Sequence, residues 1–217
     1  MAATVAHDIN NPLAGVYTYL RLIQRRLAEG KTSEADIKKL KEQLGIMGRE
    51  VERATNIVLN LLDFTRPKEP AKTPTQINDV VDESLQVLTA ALTLHNVRIT
   101  KEFGDVPEVA VDPAQIKQVF LNILTNACEA MREGGELRIR SRPGDGGSVA
   151  VEFADTGPGI PADILPKIFD PFVSTKDKGT GLGLAVAYEL ISRHGGKLEV
   201  RSAPGEGTCM TVLLPGG

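Results

Sequence analysis

Two short runs, Asp155-Thr-Gly-Pro-Gly-Ile160 and Gly179-Thr-Gly-Leu-Gly-Leu184, gather glycines that let a backbone turn tightly and approach a ligand. The first follows the strand-like stretch Ser148-Val-Ala-Val-Glu-Phe153, and the second opens into the helix-like stretch Ala185-Val-Ala-Tyr-Glu-Leu-Ile191. A helix N-terminus behind glycines points free N–H groups and a positive dipole end at an anion, which suits phosphate. The same residues also build ordinary turns, and no G-x-x-x-x-G-K-[ST] loop occurs in the chain. Upstream, Asn122 and Asn126 stand one helical turn apart among Phe120, Leu121, Ile123 and Leu124. Asparagine is mildly unfavourable inside a helix, so this pair points to a task other than packing. Near the start, His7 has Asp8 beside it and Asn11 one turn further along. At ~100° per residue His7 lies about 160° from Ile9, opposite the apolar seam and therefore exposed. Pro12 removes a backbone hydrogen bond close by and bends the helix. An exposed imidazole, an adjacent acid and a local bend suit nucleophilic chemistry.

These residues need elements to hold them. From Thr4 to Glu29 the apolar residues Ile9, Leu13, Val16, Leu20, Ile23 and Leu27 recur at spacings of four and three, a coiled-coil seam. Gly30 and Lys31 make a turn, and Thr32 or Ser33 caps a second helix carrying Ile37, Leu40, Leu44, Met47, Val51, Ala54, Val58 and Leu61. Arg66-Pro67 ends it. Two such stripes are not both fully buried in an isolated hairpin. Either a dimeric four-helix bundle covers them or the hairpin packs on the following domain.

Domain boundaries are expected at 1–67 for the hairpin, 68–74 for a Pro/Lys-rich linker, and 75–217 for the remainder. That remainder reads as a helix over Ile77–Leu92, strands over Val97–Phe103 and Val109–Val111, and a helix from Asp112-Pro113 through Met131. Strands over Glu136–Ser141, Ser148–Ala154, Lys197–Ser202 and Thr208–Leu214 follow, with a helix Leu182–Arg193 before the last two. The overall class is α+β: a helical hairpin followed by an α/β sandwich with a mixed sheet and helices on one face.

Composition bounds the partners. A net charge of −3 leaves no electrostatic footprint for nucleic acid or a membrane surface. No apolar run approaches the ~20 residues of a membrane span, and no signal-peptide pattern opens the chain, so a cytoplasmic protein or the cytoplasmic portion of a larger sensor is expected. Cys128 and Cys209 sit in apolar patterns and read as reduced, buried thiols.

In chain order stand Asn122-Ile-Leu-Thr-Asn126, Asp155-Thr-Gly-Pro-Gly159, Phe169-Asp-Pro-Phe172 and Gly179-Thr-Gly-Leu-Gly183, then Gly207-Thr208 before a last strand. The series resembles the N, G1, F and G2 boxes of the ATP-binding domain shared by sensor histidine kinases, gyrase, Hsp90 and MutL. His7-Asp-Ile-Asn-Asn-Pro-Leu13 resembles the H box of histidine kinases, and the resemblance covers nearly the whole chain. It implies a GHKL-type sandwich, a homodimer through the hairpin, ATP and Mg²⁺ as cofactors, and autophosphorylation of His7. It also implies transfer of the phosphoryl group to an Asp of a response-regulator receiver domain.

Site roles follow from the resemblance residue by residue. Asp155 accepts from the exocyclic amine of adenine, since an ionised carboxylate only accepts hydrogen bonds. Gly157 and Gly159 let the chain pass the base, with Ile160, Phe172 and Asn122 in the same nucleotide set and Thr208 helping to fix adenine. Asn126 is the Mg²⁺ ligand, consistent with an ion that takes oxygen donors and few protein ligands. Gly179, Thr180, Gly181, Leu182, Gly183 and Leu184 hold the phosphates, and Lys176 and Lys178 either add positive charge there or are solvated loop charges. Pro171 to Thr180 resembles an ATP lid. Asp8 orients His7, a place where the family usually has Glu, and Asn11 matches the position that orients water for dephosphorylating the regulator. Two rivals remain: an ATPase or chaperone-like relative, which carries a general-base Glu where this chain has Asn122, and a scaffold that binds nucleotide without catalysis.

Overall fold

A computed structural model describes residues 2–30, 33–65, 69–174 and 181–216. The chain divides into two compact units, Met1–Pro67 and Lys68–Gly217.

The first unit is a helical hairpin, α1 (Ala2–Ala28) and α2 (Glu34–Thr65). Gly30, at φ +65°, makes the turn in a region that an L side chain adopts only with strain. Ser33 caps α2: its hydroxyl accepts the Asp36 N–H at 3.2 Å, and Glu34 and Asp36 favour the positive helix end. Burial splits each apolar seam in two. Val16, Ile23, Leu40 and Met47 are half-buried, whereas Leu13, Leu20, Leu27, Ile37, Leu44, Val51 and Val58 are exposed in the single chain. Alternate members of each seam thus stay in water in the single chain.

The second unit starts with an element the sequence does not announce. Thr73–Thr75, across the boundary between the expected linker (68–74) and the remainder, forms strand β1 and pairs antiparallel with β3 (Val109–Val111) as a two-stranded sheet. Three residues carry no periodic signal, and the partner strand lies far along the chain. The main sheet has β2 (Val97–Phe103), β4 (Gly135–Pro143), β5 (Val149–Asp155), β7 (Thr208–Leu214) and β6 (Lys197–Ser202), in that spatial order. Only β2 and β4 run parallel, so the sheet is mixed. Helices α3 (Ile77–Leu94), α4 (Pro113–Ala130) and α5 (Gly183–Arg193) cover one face. Alternation along the strands sends Leu137, Ile139, Val151, Phe153, Met210 and Val212 into that core. Phe120 of α4 meets Phe153 at a centroid distance of 5.2 Å. The other face is polar: Arg140 pairs with Glu102, and Arg142 with Glu152 at 3.5 Å. Such exposed pairs add little stability but keep the face wet.

Asp112 organises the unit's centre. Its Oδ1 accepts the N–H groups of Ala114 and Gln115 at 3.0 and 3.2 Å, capping α4 behind Pro113. Its own N–H donates to Nε2 of buried His194 at 3.0 Å, while His194 Nδ1 lies 2.8 Å from the Leu190 carbonyl. That geometry requires the Nδ1–H tautomer, and it ties the start of α4 to the end of α5. Cys128 is buried and burial pushes its thiol pKa up, so it is an inert core thiol. Cys209 is also free but only half-buried, because its strand position faces away from the helices.

Candidate nucleotide site

Asp155 closes β5, the last residue of a strand whose preceding inward residues are Val149, Val151 and Phe153. Its Oδ1 accepts the Gly157 N–H at 2.9 Å and the Thr208 N–H at 3.3 Å. One carboxylate oxygen thus joins the loop after β5 to the first residue of β7.

The glycines in this loop are there for space as well as conformation. Gly159 has φ +73°, and a Cβ on it would come within 2.0 Å of the Ala203 carbonyl oxygen. Gly207 has φ +79°, and its Cβ would meet the Asp155 carbonyl oxygen at 2.0 Å. The loop after β5 and the β6–β7 turn therefore interlock backbone against backbone. The Ile160 N–H donates to Ser202 Oγ at 2.9 Å, and Ser202 and Thr208 hydroxyls lie 2.9 Å apart. Ser202 was not singled out by the sequence motifs. Its signal was the period-two series Leu198, Val200, Ser202, which reads as ordinary strand alternation until the register is known.

On α4, Asn122 and Asn126 are both half-buried. The Asn122 side-chain N–H donates to the Gly183 carbonyl at 2.9 Å, fixing the first turn of α5. Among the described residues no side chain caps α5, whose N-cap is Leu182. A helix start behind glycines is suited to phosphate oxygens. Phe172 donates its N–H to the Gly181 carbonyl at 3.0 Å and adopts φ +69°. That region costs a bulky residue on the order of 1–3 kcal/mol, and such strain collects at ligand sites. Phe169 stacks on Tyr188 of α5 at 5.1 Å, anchoring the segment before Phe172. Gly181, Leu182, Gly183 and Leu184 lie at or beside the α5 start. Lys176, Lys178, Gly179 and Thr180 lie outside the described residues, as do the side chains of His7 and Asp8. Asn11 is exposed on α1 and Pro12 lies within the helix, as the sequence indicates.

Among the described residues, no group of three or more His, Cys, Asp or Glu could hold a metal ion. A hard cation here would have to be held mainly by water and phosphate oxygens, and the Asn126 amide oxygen fits that donor set as a single protein ligand. Among the described residues, no helix is long and apolar enough to cross a membrane.

Comparison with known proteins matches a family model to each end of the chain. The family model described as histidine kinase-, DNA gyrase B-, and HSP90-like ATPase matches residues 111–217, and that of the His Kinase A (phospho-acceptor) domain matches residues 1–70. Sensor histidine kinase ZraS of Klebsiella oxytoca is 34% identical over 99% of this chain and 45% of its own length. Sensory histidine kinase/phosphatase NtrB of Rhodobacter capsulatus is 36% identical over 99% of this chain and 61% of its own length. The chain therefore spans less than two thirds of these curated relatives. Among solved structures, the catalytic domain of histidine kinase ThkA aligns with a TM-score of 0.60 at 32% identity, over 66% of this chain and 95% of that one. ThkA in complex with response regulator protein TrrA aligns with a TM-score of 0.81 at 27% identity, over 100% of this chain and 61% of that one.

Proposed function

The chain belongs to the sensor histidine kinase family, and on that premise we propose that it transfers the γ-phosphoryl group of ATP to a nitrogen of His7 and then to an aspartate of a response-regulator receiver domain. The observation that carries this reading is the joining of Asp155, Gly157 and Thr208 through one carboxylate oxygen, together with the Asn122 bond to the Gly183 carbonyl at the start of α5.

In the first step the bond from the γ-phosphorus to its bridging oxygen breaks, a bond from that phosphorus to the imidazole nitrogen forms, and ADP leaves. Only a neutral imidazole has a lone pair to give, so Asp8 orients the ring and accepts the proton of the other nitrogen. Asp155 and Thr208 hold the base, and the α5 N-terminus takes the phosphates. Asn126 would hold a Mg²⁺ ion through its amide oxygen, and the ion would supply neutralisation of the phosphate charge. Because ATP is the phosphoryl donor, we place this portion in the cytoplasm.

The uncovered half of the hairpin seam supports a homodimer joined as a four-helix bundle. Asn11, exposed four residues after His7, is proposed to orient water against the phosphorylated regulator. Replacing Asn11 by alanine is then expected to remove phosphatase activity and to leave autophosphorylation near its native rate. Full phosphatase activity in that variant would dismiss the role.

Incubation with Mg²⁺ and γ-labelled ATP tests the kinase reading. The expected product is protein-bound label that survives alkali and is lost in acid, as a phosphoramidate should be. Label released only as free phosphate would assign the chain to the ATPases instead. That rival is disfavoured by Asn122, whose amide cannot take a proton from water as a carboxylate does, and whose N–H group is engaged with Gly183.

A further inference from the structure

Strand register sets Asp155 opposite Thr208 and Thr208 opposite Ser202, so three polar side chains stand in a row at the ends of β5, β7 and β6. Two residues back along each strand the same pairing gives Phe153, Met210 and Val200, on the same face. The helix-facing row therefore turns polar at its final step, beside the loop that begins at Asp155.

Proton counting fixes the direction of every bond in this row. Ser202 Oγ accepts the Ile160 N–H at 2.9 Å, lies 2.8 Å from the Gly207 carbonyl oxygen, and lies 2.9 Å from Thr208 Oγ1. A hydroxyl has one proton and two lone pairs, and a carbonyl oxygen has no proton. The Gly207 contact is therefore a hydrogen bond only if Ser202 donates. Ser202 then meets Thr208 only by accepting, so Thr208 gives its proton to Ser202. The reverse assignment would leave two oxygens 2.8 Å apart with no proton between them. With its proton held, Thr208 Oγ1 offers only lone pairs beside the Asp155 carboxylate, whose Oδ1 takes the Thr208 N–H.

We infer that Ser202 is a positioning residue for base selectivity: by holding the Thr208 proton it makes the polar row a set of acceptors, favouring a purine that donates from an amino group over a 6-oxo purine. This rests on the nucleotide-binding reading above. Ser202 itself need not touch the nucleotide.

The test is the ratio of ATP to ITP affinity in the full chain, measured for the native protein, Ser202→Ala, Ser202→Thr, Thr208→Val and the Ser202→Ala/Thr208→Val pair. In Ser202→Ala the Thr208 hydroxyl is released to turn and donate to a 6-oxo group, so the preference for ATP should fall about tenfold. Ser202→Thr keeps a hydroxyl and should keep the preference. In the Thr208→Val background, Ser202→Ala should change the ratio no further. Loosening of the loop through the lost Ile160 bond would weaken both nucleotides together, which is why the ratio is the readout. An unchanged ratio in Ser202→Ala, or a further fall in the double variant, overturns this inference and leaves the kinase reading intact. Failure of the native chain to bind ATP overturns both.

Discussion

Replacing Asp155 by asparagine should lower ATP affinity at least about 100-fold while leaving the fold in place. The side chain already serves the protein, since Oδ1 accepts the N–H groups of Gly157 and Thr208. An asparagine keeps its single oxygen on those two donors, and that orientation turns an NH₂ group where aspartate has its second oxygen. The adenine amine, proposed to donate there, would then face another donor. A lost hydrogen bond together with an unsatisfied, desolvated donor costs roughly 3 kcal/mol, which corresponds to about two decades of affinity. Calorimetric titration with ATP reads the loss, and an unchanged far-ultraviolet circular dichroism spectrum shows that folding survived. Near-native affinity would remove Asp155 from the base-reading role.

The second large effect is on stability. Gly207→Ala should lower the thermal midpoint by several degrees more than Gly205→Ala, although the two glycines have nearly the same backbone angle, +79° and +82°. Both substitutions place a Cβ in the left-handed region, at about 1 kcal/mol. At Gly205 the new atom meets nothing within 4 Å, so the cost stops there. At Gly207 it would lie 2.0 Å from the Asp155 carbonyl oxygen and 3.2 Å from Thr156 Cα. Those atoms belong to a sheet strand and its exit, and neither can swing aside as a side-chain tip would. The end of β5 must separate from the start of β7, which opens the Asp155–Thr208 bond and adds several kcal/mol, at roughly 2–4 °C each for a chain of this size. The same displacement should abolish ATP binding. Equal midpoints for the two variants would mean that the interlock is not rigid.

Much of the second unit was legible because its signals are local. Asp112-Pro113 announces a helix start through a side-chain acceptor and a fixed φ, and both act within three residues. The strands from β4 onward follow the period-two alternation of a sheet covered on one face. The glycine runs marked the loops because the conformations and close approaches at Gly159 and Gly207 leave few alternatives. What stayed hidden depends on residues far apart in the chain. β1 exists because Thr73–Thr75 finds β3, a pairing that no local pattern announces. Asp155 and Thr208 are joined across 53 residues, and Ser202 acquires its meaning only from the register that sets it beside Thr208. His194 gave no signal as a lone histidine near a helix end, yet it links α4 to α5 through the Asp112 N–H. The left-handed backbone of Phe172 was also invisible, because the residue type argues against it. In the hairpin, the heptad pattern revealed the seams but not their division into a half-buried and an exposed part.

The γ-phosphoryl group of ATP is proposed to end on His7. The measurement that bears on it most directly is labelling of the native chain and of His7→Ala with γ-labelled ATP and Mg²⁺, side by side, with ATP binding measured on both. Acid-labile, alkali-stable label is expected on the native chain and none on His7→Ala, with the same ATP affinity for each. Equal labelling of the two proteins, or label that survives acid, would contradict it.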